Sequence, residues 1–421
     1  MARSLRRDTR RRHARHRRRH RPRRHASRRT AGGHRSRRVR RTLLHRAGAA
    51  QEAGVPVSVL DTRSTTEQPT TVPARPAVRF GPFSTVFRPL GVTVNLALVA
   101  ALFVLFCLEI GSGDYPMSIP EVVNVLLGGG TRAQRFIVTD LRLPRALVAA
   151  LIGMALGLAG ALTQSISRNA LASPDILGIT AGASAAAVSL IVLGGGGSFI
   201  GLLAILGIPL AALAGGIVTA LAIYLLAWRK GVEGYRLILI GIGTNAMLIA
   251  VTQWLLISAD INDASRAQVW LNGSLAAASW NQVWPLLAIL GVIGAAALIG
   301  SFTLGALRLG DDNAASLGIR LQSSQALLLL AAVVLAAGAT AAAGPVGFVA
   351  LAAPQVAMRL VRSPGPPLVA AALCGAVLVV GSDLIARTLL PVELPVGIVT
   401  SALGGPFLLY LLVRNNRKVS A

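Results

Sequence analysis

The chain has 421 residues, 53% of them hydrophobic, a mean hydropathy of +0.63 and a formal net charge of +26. Such hydrophobicity and such charge are incompatible within one soluble core, so the charge must be segregated. Residues 1–46 hold 21 of the 42 Lys and Arg, one acid (Asp8) and all six histidines, which leaves the remainder at +6 and excludes imidazole-based metal sites from it.

The first segment, with its "RRDTRRRHARHRRRHRPRRHASRR", is of low complexity and self-repelling, and is expected to be a disordered basic tail. It has no apolar h-region and is not a signal peptide. Three readings of it stay open: contact with anionic lipid headgroups or nucleic acid, an extension without function, or translation from a start upstream of the true one. Residues 47–86, rich in Thr, Pro and Ala, read as a linker; 87–415 form the apolar body and 416–421 a short polar terminus.

Apolar runs of about twenty residues, matching the ~30 Å hydrocarbon thickness, recur ten times. They are placed at 91–110, 146–164, 176–194, 200–228, 237–258, 282–302, 321–342, 345–359, 367–387 and 395–413. The chain is therefore read as an all-α polytopic membrane protein. With the N-terminus in the cytoplasm, the inner segments after the tail carry eleven Lys and Arg (Arg168, Arg229, Lys230, Arg236, Arg308, Arg320, Arg359, Arg362, Arg414, Arg417 and Lys418). The outer segments carry six: Arg132, Arg135, Arg142, Arg145, Arg266 and Arg387. This bias places both termini inside. Spans two and seven contain "GMALGLAGA" and "LAAGATAAAG", small residues that let backbones approach in lipid. The tetrads at 171–174 and 351–354, each LAxP, hint at two halves running in opposite directions. Cys107 and Cys374 lie within apolar runs and read as packing residues.

No G-x-x-x-x-G-K-[ST] occurs, and neither Lys230 nor Lys418 follows a glycine-rich loop, so no Walker-type nucleotide site is expected. Mid-span acids, which ion-coupled carriers use, are also missing; Glu109 and Asp383 lie near span ends. A passive conduit moved by something else fits best, the alternative being an ion-coupled secondary transporter or channel working without ATPase partners. The inner loop "SFTLGALRLGDDNAASLGIRLQ" reads either as an interfacial turn or as a short partner-docking helix capped by Asp311, Asp312 and Asn313. In the outer segment 260–283, Trp270 and Trp280 read as interface anchors. Arg142 and Arg145, flanking the proline of "RLPR", could snorkel to headgroups or serve a partner.

The stretch "RLPRALVAALIGMALGLAGALTQSISRNALASPDILGITAGAS" resembles the FecCD-type permeases, the membrane subunits of ABC importers for iron–siderophores, haem and vitamin B12. So do "VWLNGSLAAASW", "LGDDNAASLGIRL", "GPVGFVALAAPQ" and "SDLIARTLLPVELPVGIVTSALGGPFLLYLL", in the same order. The resemblance implies ten helices in two inverted pseudo-repeats and a second permease subunit beside this one, in a homodimer or heterodimer. It also implies two cytoplasmic ATPase subunits that bind ATP and Mg, and an extracytoplasmic substrate-binding protein. This chain would bind no cofactor and catalyse nothing, and would sit in the plasma (inner) membrane. By the resemblance, Arg142, Arg145 and Arg387 accept glutamates of the binding protein. Leu309, Gly310, Ala314, Ala315, Leu317 and Gly318 rest against an ATPase, and Asn169, Pro174 and Asp175 form a cytoplasmic turn. Asn169-Ala170 replaces the Asn-Pro of many relatives, and Pro354-Gln355 their Pro-His; the latter variant is similar to the branch serving catecholate siderophores.

Overall fold

The computed structural model describes residues 77–419 apart from 81–82, 87–88, 114, 195–197, 229–233 and 390–391. The basic tail 1–46 and the linker up to 76 lie outside the described residues. The end of the expected linker is not featureless: β1 (Ala77–Phe80) and β2 (Phe83–Val86) pair antiparallel, Ala77 opposite Val86.

The helices follow as α1 (Pro89–Gly111), α2 (Ile119–Leu126), α3 (Arg132–Phe136), α4 (Leu143–Ile166), α5 (Ile179–Leu193), α6 (Ser198–Ala227), α7 (Gly234–Ser258) and α8 (Ile261–Leu271). Then come α9 (Trp280–Ile289), α10 (Ala295–Ile299), α11 (Ser301–Leu307), α12 (Asp311–Ser316), α13 (Leu321–Ala343), α14 (Val349–Val361), α15 (Leu368–Thr388) and α16 (Val396–Val419). Wider π-turns at Ile137–Arg142 and Leu290–Gly294 join α3 to α4 and α9 to α10. Seven helical runs among the described residues are long and apolar enough to cross a membrane, and α5, α14 and the Val396–Leu411 part of α16 are shorter apolar helices. These ten fall on the ten predicted spans.

Boundaries differ where backbone chemistry intervenes. The fourth span is broken: Gly207 leaves the helical region (φ 76°, ψ 164°) two residues before Pro209, whose ring removes a donor, so the crossing part begins at Gly207. The polar terminus expected at 416–421 is still helical through Val419.

The bundle is organised around α4, which packs against α13, α14 and α15 and is buried along most of its length. Pro144 in its first turn needs no partner for a missing N–H. Gly153, Gly157 and Gly160 share one face. A Cβ on any of them would run into a main-chain oxygen, of Gly375, Ala371 and Ala350 respectively. The Gly/Ala run is thus the surface on which α14 and α15 are laid.

The two halves correspond through α4 and α13. Each is the second span of five, so the two run in opposite directions. Each leads to a short helix entered through a left-handed residue, Gly178 (φ 80°) before α5 and Phe348 (φ 65°) before α14. The LAxP tetrads do not mark equivalent places: 171–174 lie in a turn, whereas 351–354 lie inside α14.

Gly160→Val is expected to cost at least the ~1–3 kcal/mol typical of overpacking, lowering the melting temperature of the detergent-solubilised protein or preventing its accumulation. Gly243→Val, where an added Cβ meets nothing within 4 Å, should leave the melting temperature unchanged. Equal behaviour of the two would mean that α4 is not packed through its glycines.

Candidate functional site

Charged side chains inside the bundle gather at the two ends of α4. At its N-terminal end Arg145 meets Asp383 of α15 in a fork, Nε to Oδ2 and Nη2 to Oδ1, both 2.9 Å. Asp383 is 1% and Arg145 14% exposed, so solvent screens this pair little. Removing either partner alone from such a pair costs on the order of 3–5 kcal/mol. Glu109 of α1 is buried in the same place, beside Asp383 and in the field of Arg145 and Arg387.

Arg142 donates from Nη1 to the carbonyl of Ile110 (2.7 Å), and Arg387 reaches the carbonyl of Ser112 from Nη2 (3.5 Å). Both carbonyls belong to the last turn of α1 or the residue just past it, where helix carbonyls lack intrahelical partners and the dipole favours cations. The two guanidinium groups flank Gly113: an added Cβ would lie 2.8 Å from Arg142 Nη2 and 3.3 Å from Arg387 Nη2. Glu393, on the loop before α16, completes the group, 3.8 Å from both Arg145 Nη1 and Arg387 Nε. Three guanidinium and three carboxyl groups therefore share one end of the bundle. The indole N–H of Trp280 donates to the Thr139 carbonyl (3.1 Å) and braces the π-turn that leads to Arg142.

At the other end of α4 two more arginines tie the chain together. Arg168 donates from Nε and Nη2 to the Leu307 carbonyl (3.2 and 2.9 Å) and pairs through Nη2 with Asp311. Arg308 donates from Nη2 to Ser165 Oγ (2.8 Å) and to the Pro366 carbonyl (2.9 Å). Between them lies a cleft of about 300 Å³, floored by Gln164 and Gln355. Gln355 Nε2 donates to Gln164 Oε1 (2.7 Å), and Gln164 Nε2 to the Leu351 carbonyl (3.1 Å), a buried polar link between α4 and α14. The Pro354-Gln355 pair noted in the sequence is thus part of a packed seam.

The loop 301–320 forms two helices, α11 and α12, instead of one. Its cap also differs from expectation. Gly310 (φ 106°) stands at the N-cap of α12 and no side chain caps it; Asp311 goes to Arg168, and Asn313 donates back to the Leu309 carbonyl. Leu309 and Leu317 are 62% and 56% exposed, and Ala315 and Gly318 are exposed beside them, with Gly310 half-buried. Ala314 is fully buried against the core, because it occupies the inward side of α12; it is not available to a partner.

The turn after α4 is likewise more internal than expected. Asn169 is half-buried and closes a local turn with its side chain, Oδ1 accepting from the Leu171 N–H (2.9 Å). Ser173 and Pro174 are buried, because the segment folds back into the bundle. Asp175 does not cap α5 directly. Its carboxylate accepts from Thr180 Oγ1 (2.6 Å) and from the Phe348 backbone N–H, joining the starts of α5 and α14.

Sequence reasoning placed Arg142, Arg145 and Arg387 together but did not see Asp383, Glu109 or Glu393 among them, nor the roles of Arg168 and Arg308. The carboxylates stood out only as the few acids of the body; nothing local announced their partners. Among the described residues no group of three or more His, Cys, Asp or Glu could hold a metal ion. Cys107 and Cys374 are buried and unbridged.

Comparison with known proteins matches the FecCD transport family over residues 101–414. The chain is 43% identical to the ferric enterobactin transport system permease protein FepG of Escherichia coli (strain K12), over 77% of this chain and 96% of that protein. It is 39% identical to the iron(3+)-hydroxamate import system permease protein FhuG of Bacillus subtilis (strain 168), over 75% and 95%. Among solved structures, one described as an inward-facing conformation of a metal-chelate type ABC transporter superposes with a TM-score of 0.67 at 25% identity, covering 77% of this chain and 99% of that one. With ten apolar helices among the described residues falling on the predicted spans, and a family match that runs from within the first of them to residue 414, this multi-pass membrane protein belongs to the FecCD transport family.

Proposed function

We propose that the chain is the membrane-spanning permease subunit of an ABC importer for ferric siderophores, and that it lines the pathway while other chains supply the energy. The relatives named above carry iron chelates of two different chemistries by name, which supports the iron-chelate class and leaves the individual chelate to the binding protein. The chain itself binds no nucleotide and performs no bond chemistry; ATP and Mg belong to two cytoplasmic ATPase subunits. A second permease subunit, identical or related, completes the pathway.

The observation that carries this reading is the convergence of Arg142, Arg145 and Arg387 at one end of α4, with the exposed Leu309 and Leu317 following the arginine-tied loop at the other. The excess of Lys and Arg puts both termini in the cytoplasm. The arginine cluster then faces outward, where guanidinium–carboxylate pairing with a binding protein is directional and charge-assisted. The α11–α12 loop faces the ATPases, and its docking surface is Leu309, Gly310, Ala315, Leu317 and Gly318, without Ala314.

Two experiments test the two ends. Arg142→Glu with Arg387→Glu, in the assembled importer, should lower uptake of radiolabelled ferric siderophore at least about tenfold, the size of a 1.4 kcal/mol loss in docking. Undiminished uptake by a correctly inserted variant would reject the outward cluster as the docking site. Leu309→Glu with Leu317→Glu should abolish co-purification of the ATPase subunits while the protein still folds; retained ATPase would reject the loop. Ion-gradient-driven uptake by vesicles containing this chain alone would replace the whole reading with a secondary transporter.

A further inference from the structure

The carboxylate of Glu393 has an unusual position. Its two oxygens face two different arginines, Oε2 at 3.8 Å from Arg145 Nη1 and Oε1 at 3.8 Å from Arg387 Nε. Both separations lie beyond the 2.7–3.2 Å of a formed N–H···O bond, so the group is attracted but not bonded. It is also the exposed member of the cluster, 59% accessible, whereas both arginines are mostly covered.

The donors it faces are those the fold has left over. Asp383 takes Nε and Nη2 of Arg145, which leaves Nη1. Arg387 spends Nη2 on a long contact to Ser112, and its buried Nε has no hydrogen-bond partner. An unsatisfied buried donor on a charged group favours any carboxylate that can reach it. Glu393 stays close because the next residue is pinned: the Leu394 N–H donates to the Ala386 carbonyl (3.2 Å), one residue before Arg387. Tethering of this kind gives a weak ligand a high local concentration.

We propose that Glu393 is a built-in counter-ligand of the Arg145–Arg387 site: it occupies the place of an incoming carboxylate and must be displaced when the binding protein docks. The inference rests on the docking reading above and adds to it a competitor carried by the permease itself. Its effect is to weaken docking and to favour release of the emptied carrier. Because an exposed, loosely held ion pair is worth little, the expected weakening is only about two- to fivefold.

The test uses the assembled importer in nanodiscs and the substrate-free binding protein of the same import system, with affinity read by surface-immobilised binding. Glu393→Gln, which keeps the shape and removes the charge, should tighten binding by about two- to fivefold, and Glu393→Ala should do the same. In an Arg387→Gln background the gain from Glu393→Gln should shrink, since the competitor has lost one of its partners. If Arg387→Gln weakens binding but Glu393→Gln leaves it unchanged or weaker, Glu393 is no competitor and the docking reading stands. A gain that is fully additive with Arg387→Gln would also overturn the proposal, because it would report a general charge effect. If neither residue affects affinity, the docking reading itself falls.

Discussion

The contact on which the structure depends is backbone against backbone, where Gly153, Gly157 and Gly160 of α4 meet Gly375, Ala371 and Ala350. In a bilayer an apolar side chain gains nothing by leaving lipid for protein, so helices associate through van der Waals contact and close approach. A helix walled in by α13, α14 and α15 can therefore be held only if its surface is small enough for neighbours to touch its main chain. The spacing of the glycines at four and three residues keeps them on one face, and the alanines among them extend that face. Larger residues there would hold the neighbours apart and loosen the whole bundle.

This packing determines where charge can be placed. A helix of 24 residues is roughly 36 Å long at 1.5 Å per residue, so the two ends of α4 reach the two edges of the hydrocarbon while its middle stays dry. Arg145 and Asp383 satisfy one another at one end; Arg168, Asp311, Arg308 and Ser165 do so at the other. Ionisable groups in the middle would be costly without such partners. The middle is instead small and apolar, and Thr163, a polar residue of the last turn, bonds back to carbonyls of the same helix.

Much of this was legible in the sequence because hydrocarbon thickness acts on composition directly: runs of about twenty apolar residues announced the crossings, and "GMALGLAGA" announced the close contact. Breaks imposed by single backbones were less visible. Gly207 and Pro209 were read through as one span, and the left-handed Phe348 gave no sign at all, since a bulky residue in that region is held there only by its surroundings. The arginine cluster was legible as three residues but not as a network. Asp383 lies 238 positions from Arg145, and neither local pattern nor periodicity records a partner at that separation. Ala314 illustrates the opposite error: its neighbours in "DDNAASLG" suggested one exposed face, yet on a helix of six residues one side must rest on the protein, and this alanine is on that side.

On the proposed function, the same helix receives both partners. A carrier's carboxylates would draw on Arg387 and on the remaining nitrogen of Arg145 at the N-terminal end of α4, while ATPase motion would arrive through the α11–α12 loop. That loop is fastened to the C-terminal end of α4 by Arg168 and Arg308. Between these ends α4 has little freedom to bend, because its glycine face leaves no gap to α14 and α15. A displacement imposed at one end must then appear as a rigid movement of α4 together with the helices laid on it. The starts of α5 and α14, joined by Asp175 and each entered through a left-handed residue, are the nearest places where backbone rotation can absorb that movement.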